Sequence, residues 1–315
     1  MGTATADRFR TRELLRRYGL VMSFILLCLA LTLLSDRFLT PSNLLNVLRQ
    51  ATINGIIAVG MTYVILTAGI DLSVGSVVAL STVVAASLMQ SGQPVAVGVL
   101  AGLGLGALLG LVNGLVIAHA RVPPFVTTLG MMTIARGLAL TFTQGRPITG
   151  LPEGFTFIGA GFVGPIPMPI IIFLAVFAVG YFVLNRTVLG ESIYALGNNP
   201  VAARLAGIRT ARVTTLVYVI SGTLAALAGQ ILVARLNSAQ PTAGSGFEFD
   251  AIAAVVVGGT SFAGGEGGLF GTLIGVLIIQ VLNNGLNLLN VSPLWEGVVK
   301  GVVIALALLL HRAGK

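Results

Sequence analysis

The stretch NGIIAVGMTYVILTAGIDLSVGSVVAL, residues 54–80, decides the fold class of this chain. It carries one charged residue, Asp71, between two apolar runs. The whole chain has the same character: 56% of its 315 residues are hydrophobic and 9% are charged, against about 25% charged residues in a soluble domain. Apolar runs of about 17 to 25 residues can cross a bilayer as helices. The sequence therefore predicts an all-α, polytopic membrane helix bundle.

Ten membrane spans are predicted, within a single transmembrane domain at 18–315 that follows a basic segment at 1–17. Sorting the loops by charge places twelve Lys and Arg residues on the side of the N-terminus. Four arginines fall on the other side: Arg37, Arg49, Arg146 and Arg235. The positive-inside rule then places both termini in the cytoplasm. The predicted spans are 18–35, 52–69, 70–90, 95–118, 124–143, 166–185, 213–235, 249–261, 268–289 and 295–311. The eighth span is short and runs into the glycine-rich GGTSFAGGEGG, so a re-entrant or broken helix is the alternative there.

Two segments of the sequence resemble each other. LVNGLVIAHARVPPF, residues 111–125, and VLNNGLNLLNVSPLW, residues 281–295, share an Asn-Gly-Leu followed by a proline at nearly the same interval. They fall in the fourth and ninth predicted spans, which run in opposite directions. This pattern indicates two five-span halves of inverted topology, a common plan among transporters.

A short polar-flanked helix is predicted in the large inner loop, 186–212. In ALGNNPVAARLAGIRT, residues 195–210, Asn199 can cap the helix and Pro200 suits its first position. Gly207 can supply the left-handed residue that ends it. We interpret this helix as a rigid contact site for a partner protein. The alternative is an amphipathic helix that lies on the lipid surface. The predicted contact face consists of small residues and one charge: Ala202, Ala203, Ala206 and Arg204.

Polar residues within the predicted spans are candidates for a solute path. Asp71 either belongs to a structural turn at the inner interface or lines a wet path. The amides and hydroxyls could bind a polyhydroxylated solute or bond neighbouring helices. Arg136 could reach toward the interface or pair with an acid. The residues predicted for the path are Asp71, Asn113, Thr127, Thr128 and Asn284; the other amides considered are Asn54, Asn283 and Asn287.

Several chemistries have no support in the sequence. There is no GxxxxGK[ST] phosphate loop, and the two lysines, Lys300 and Lys315, lie in other settings. No pattern typical of hydrolases or metalloenzymes is present. His119 and His311 have no ligand partners in sequence, so no metal site is predicted. The net charge of +8 is explained by the cytoplasmic loops rather than by nucleic acid. Transport energy would have to come from outside this chain.

The chain resembles the membrane-spanning permeases of ribose-type ABC importers. The resemblance covers nearly the whole sequence and rests on four stretches. The first is the stretch at 54–80. The others are VPPFVTTLGMMTIARGLAL at 122–140, GNNPVAARLAGI at 197–208, and the glycine-rich segment VVVGGTSFAGGEGG that begins at Val255 and continues to Gly301. One departure is Glu266, where a basic residue is expected.

The resemblance implies a type II ABC importer-like complex in the bacterial inner membrane. Such permeases work as a pair, which suggests a second copy of this chain as a homodimer. A separate ATPase subunit uses the ATP, so this chain binds no cofactor. An external sugar-binding protein delivers a monosaccharide, with ribose or a related sugar expected. The residues implied in contact with the ATPase are Gly197, Asn198, Asn199, Ala202, Ala203, Arg204 and Gly207.

Other functions remain open from the sequence. An ion-gradient-driven secondary transporter could use Asp71, Arg136 and Glu266. A passive channel or a scaffold subunit would need neither ATP nor a gradient. Within the same superfamily, a permease for nucleosides or branched-chain amino acids would share the plan.

Overall fold

The computed structural model describes residues 3–292, 295, 297, 298, 301 and 302. The described part is mostly helical. The helices are α1 Thr3–Leu34, α2 Pro41–Leu66, α3 Val74–Gln90, α4 Val95–His119, α5 Pro124–Thr143, α6 Glu153–Ala160, α7 Met168–Arg186, α8 Val188–Asn198, α9 Pro200–Leu205, α10 Thr210–Leu236, α11 Phe247–Val257 and α12 Leu269–Leu288.

Two small antiparallel pairs of strands lie at the end of the bundle opposite α8 and α9. Strand β1 (Ile148–Thr149) pairs with β4 (Ser238–Ala239), and β2 (Phe162–Val163) pairs with β3 (Ile166–Pro167). The first pair joins the segment between α5 and α6, at 144–152, to the segment between α10 and α11, at 237–246. These segments are therefore folded against each other rather than independent linkers.

Helices α2 and α10 form the centre of the bundle. They pack against each other, α4 packs along α10, and α12 packs against α2 and α11. One face of α4 carries a glycine at every fourth position, a small-residue pattern that lets helix backbones approach closely in a membrane. A Cβ added to Gly110 would overlap the Tyr218 carbonyl oxygen of α10. The glycines of this face are Gly98, Gly102, Gly106, Gly110 and Gly114.

Six of the described helices are long and apolar enough to cross a membrane: α2, α4, α5, α7, α10 and α12. The stretch Gly19–Leu34 and helix α3 are shorter apolar helices. The prediction of a polytopic membrane bundle is confirmed at this level. The predicted tenth span, 295–311, falls almost entirely outside the described residues, as do Lys300, His311 and Lys315.

Two predicted boundaries are wrong, those at the starts of the second and third spans. Helix α2 starts at Pro41, so Arg49 lies within it and not in a loop; the polar residues of its first turns had lowered the apolar signal. The third span starts at Val74, which leaves Asp71 in a non-helical turn. The predicted eighth span, 249–261, is the 11-residue α11 followed by a non-helical segment at 258–268 that is rich in glycine, which agrees with the broken-helix alternative. Helix α1 is continuous across residue 17, and the division into a basic segment at 1–17 and a transmembrane domain at 18–315 stays a prediction.

Candidate functional site

Helix α9 has the predicted caps at both ends. Asn199 Oδ1 accepts hydrogen bonds from the backbone N–H groups of Val201 and Ala202, each at 3.0 Å, and Pro200 occupies the first turn. At the other end, Gly207 has a φ of 85°. The N–H groups of Gly207 and Ile208 donate to the carbonyls of Arg204 and Ala203, both at 3.0 Å. This is the Schellman arrangement, and it fixes a helix too short to be stable by itself.

The predicted contact face of α9 is partly wrong. Ala203 is 4% exposed and packs inward, whereas Val201 and Leu205 are 65% and 85% exposed. The two exposed apolar side chains lie four residues apart, so they share one face of the helix. We call Val201 and Leu205 the apolar pair of α9. Sequence spacing showed that they share a face but could not show which face of a six-residue helix meets the bundle.

Gly197 and Asn198 precede helix α9 and end a separate helix, α8, which was not predicted from the sequence. Of the residues implied in ATPase contact, Gly197 is buried like Ala203. The others are exposed: Asn198, Asn199, Ala202, Arg204 and Gly207. Thus five of the seven residues lie on a surface that a partner can reach.

Helix α8 is attached to the end of α2 and to the glycine-rich segment at 258–268. The Tyr194 hydroxyl donates to the Gly267 carbonyl at 2.9 Å. Burial raises the pKa of this hydroxyl, so the phenol keeps its proton at neutral pH. A Cβ added to Gly197 would overlap the Leu66 carbonyl oxygen, which also accepts from Gly265 N–H at 2.9 Å. These contacts attach α8 to the backbone of α2 and of this segment.

Asp71 is the centre of a buried polar cluster. It is 1% exposed. Its Oδ1 accepts from the Ser73 N–H at 3.0 Å and the Ser73 hydroxyl at 2.6 Å, and its Oδ2 accepts from the Ser221 hydroxyl at 2.8 Å. Asn113 Nδ2 donates to the Ser73 hydroxyl at 3.0 Å. The cluster joins the α2–α3 turn to α4 and α10, a geometry that fits the structural alternative for Asp71.

The remaining predicted path residues are dispersed. Thr128 donates to the carbonyls of Ile70 and Pro124, while Thr127 is partly buried in the first turn of α5 and donates to the Pro123 carbonyl. Asn284 and Asn43 exchange hydrogen bonds of 2.8 and 3.0 Å, which joins α12 to α2. None of the five predicted residues lines the cavity between α2, α10, α11 and α12, and their role in a path stays a prediction.

Three other amides do meet. Asn54, Asn283 and Asn287 line a cavity of about 360 Å³ between α2, α10, α11 and α12. Arg235 and Asp250 lie at the same cavity. These amides were not predicted as path residues from the sequence, because spacing along separate helices does not show which of them face one another.

Arg136 is bound to backbone carbonyls rather than to a single acid. Its guanidinium donates to Pro241 and Ala243 at 2.8 and 2.9 Å, and to Gly75 at 3.3 Å. The Glu248 carboxylate adds electrostatic attraction. These bonds attach the 237–246 segment to α3 and α5. Glu248 is buried in the first turn of α11.

The sequence matches known permeases along most of its length. Residues 43–308 match the family model described as "Branched-chain amino acid transport system / permease component". The chain is 49% identical over 300 residues to the ribose import permease protein RbsC of Bacillus subtilis (strain 168), which covers 95% of this chain and 93% of that protein. It is 48% identical over 312 residues to RbsC of Escherichia coli (strain K12), and this match covers 98% of this chain and 97% of that protein. No match was found among solved structures.

A further similarity extends to another sugar. The galactose/methyl galactoside import permease protein MglC of Salmonella typhimurium (strain LT2) is 40% identical over 312 residues, which covers 93% of each chain. These relatives are thus named for two different sugars.

Proposed function

Because the chain belongs to the family of permease components of branched-chain amino acid transport systems, we propose that it is the membrane permease subunit of an ATP-driven monosaccharide importer. The observation that carries this proposal is the 49% identity to a ribose import permease over 95% of the chain. Ribose is therefore the first sugar to test, and galactose the second.

The orientation follows from the charges at the two ends of the bundle. The end with α8 and α9 carries five arginines in its loops and helix ends: Arg121, Arg186, Arg204, Arg209 and Arg212. The positive-inside rule places this end in the cytoplasm of the bacterial inner membrane. Both termini are proposed to lie on that side, as ten spans require.

The ATPase subunit is proposed to bind α9. The apolar pair, Val201 and Leu205, is exposed at the end proposed to be cytoplasmic. Exposed apolar side chains within a polar surface are typical of a protein contact. Arg204 supplies an adjacent charge that can orient the partner. ATP is bound and hydrolysed by that partner.

The external binding protein is proposed to dock at the opposite end. There the β2–β3 pair and α6 present exposed apolar side chains, including Phe157, Phe162 and Ile166. A sugar released at this end would pass inward as the helices alternate between outward and inward access. Closure of the ATPase pair would push α9, and the attachment of α8 to α2 and to the 258–268 segment would carry that push into the bundle.

An inverted repeat and a second copy of the chain complete the proposed architecture. Helix α3 packs against α4 and α10, while α11 packs against α12 and α2. This is the relation expected if α4 and α12 are equivalent elements of two halves. The Asn-Gly pairs agree with it, because both Gly114 and Gly285 lie at close helix contacts.

A pull-down in mild detergent tests the proposal. We expect the tagged chain, purified from its own cells, to recover an ATPase with a phosphate-loop motif, identified by mass spectrometry. Recovery of the chain alone, in a form that transports solute on an ion gradient, would instead favour a secondary transporter. Recovery of the ATPase with a binding protein that takes leucine or a nucleoside, and no sugar, would contradict the assigned solute class.

A further inference from the structure

The amide-lined cavity lies at the end of the bundle away from α9. Arg235, at this cavity, is in the last turn of α10, 25 residues after the first residue, Thr210. At 1.5 Å per residue this is about 38 Å along the helix. With α9 in the cytoplasm, the cavity faces the outer half of the membrane, where a solute arriving from outside would first meet the permease.

The lining is unusually polar for the interior of a membrane bundle. Three amides form a chain: Asn54 Nδ2 donates to Gln280 Oε1 at 3.2 Å, and Gln280 Nε2 donates to Gln50 Oε1 at 2.8 Å. Gln280 is 2% exposed. Polar side chains at this depth are costly unless they have a partner or a function. The amide chain holds α2 and α12 in a fixed relation along one wall.

Two polar groups of the lining have no hydrogen-bond partner in the described structure. Asn283 is 7% exposed and lines the cavity, and its Oδ1 is buried without a partner. Arg235 Nη1 is likewise buried without a partner. One is an acceptor and the other a donor. Buried groups of this kind call for an explanation, and an absent ligand that supplies the missing hydrogen bonds is one.

Apolar side chains form the rest of the lining. Ile53, Leu232 and Phe247 form the carbon surface of the cavity. A volume of about 360 Å³ lies within the range of small-molecule sites, which combine apolar walls with a few placed polar groups. The polar groups are a guanidinium, a carboxylate and several amides, so the site has charges of both signs.

We infer that this cavity is a solute site within one permease chain, and that it takes a polyhydroxylated neutral molecule of monosaccharide size. Amides suit such a ligand because each offers a donor and an acceptor, as each sugar hydroxyl does. The carbon face of the sugar would lie against Phe247 and Leu232. This inference rests on the proposed function, since a sugar must reach the cavity for it to be used.

Asn283→Leu is the first test, with Gln230→Leu as its matched control. Gln230 is 1% exposed, both of its polar side-chain atoms lack partners, and it is not part of the cavity lining. In proteoliposomes with the ATPase and the binding protein, we expect Asn283→Leu to slow ATP-driven ribose uptake about tenfold or more. Gln230→Leu should stay within about twofold of the unmodified chain. Equal uptake by the two variants would overturn the inference.

Thiol labelling gives a readout that does not depend on the uptake rate. Cys28, the single native cysteine, is replaced by serine, and Asn283→Cys or Gln230→Cys is added to that chain. A small methanethiosulfonate reagent should label the Asn283→Cys thiol, and ribose delivered by its binding protein should slow that reaction, whereas leucine should not. Labelling that ribose leaves unchanged, in a chain that still transports ribose, overturns the inference alone. Absence of ATP-driven ribose uptake by the unmodified chain overturns the proposed function instead.

Discussion

Leu205→Glu is expected to release the ATPase subunit while the permease stays folded. Leu205 is 85% exposed on α9, so glutamate meets water in the isolated chain and the bundle loses no packing. In the complex the same carboxylate would be buried against the partner. Loss of a central apolar contact typically costs about 2 kcal/mol or more, which is about a 30-fold weaker Kd. Binding of the purified ATPase to the detergent-solubilised permease measures it directly.

Leu205→Met is the control for this change. Methionine keeps the apolar volume, so its binding should remain within about threefold of the unmodified chain. If the ATPase bound Leu205→Glu as tightly as Leu205→Met, the apolar pair of α9 would not be part of the contact. The proposed site of force transfer would then have to lie elsewhere.

Gly197→Ala is expected to have the second large effect, on the free energy of unfolding and on uptake together. The added Cβ would overlap the backbone of Leu66 and Gly265. Backbone cannot give way as a flexible side chain can, so α8 must separate from α2. We expect the free energy of unfolding to fall by about 3 kcal/mol, measured as loss of helical circular dichroism on heating. ATP-driven uptake should fall with it, because α8 no longer moves α2.

Gly130→Ala provides the matched comparison. Gly130 lies in α5 with nothing within 4 Å of its added Cβ. Alanine favours a helix over glycine by up to about 1 kcal/mol, so this variant should be as stable as the unmodified chain or more so. If both variants had the same melting temperature and the same uptake, the close contact of α8 with α2 would carry neither stability nor coupling.

The fold class and the caps of α9 were predictable from sequence because both depend on local chemistry. The length of an apolar run can be counted in the sequence. Asn199, Pro200 and Gly207 affect the helix ends through backbone groups a few residues away. The beginning of α2 was missed because Arg49 and its polar neighbours reduce the apolar signal. In the structure Arg49 lies 4.9 Å from the centre of the Phe162 ring, a contact that distant sequence positions do not reveal.

The candidate site was less predictable because it depends on which helix faces meet. Asn113 and Asn283 looked alike in sequence, yet Asn113 donates to Ser73 whereas Asn283 lines the cavity. The inward packing of Ala203 likewise follows from the position of α9 against the bundle. Hydropathy and spacing carry no information on such neighbours, since every apolar helix in a membrane is compatible with many packings.

The most direct test of the central claim is solute uptake by the reconstituted complex. Permease, ATPase and binding protein are placed in proteoliposomes, with labelled ribose outside and ATP within reach of the ATPase. For an ATP-driven importer, we expect ribose to accumulate with ATP and not with ADP. Collapsing the ion gradients should leave the accumulation of ribose unchanged. Accumulation that continues without ATP but stops when the proton or sodium gradient is collapsed would contradict it.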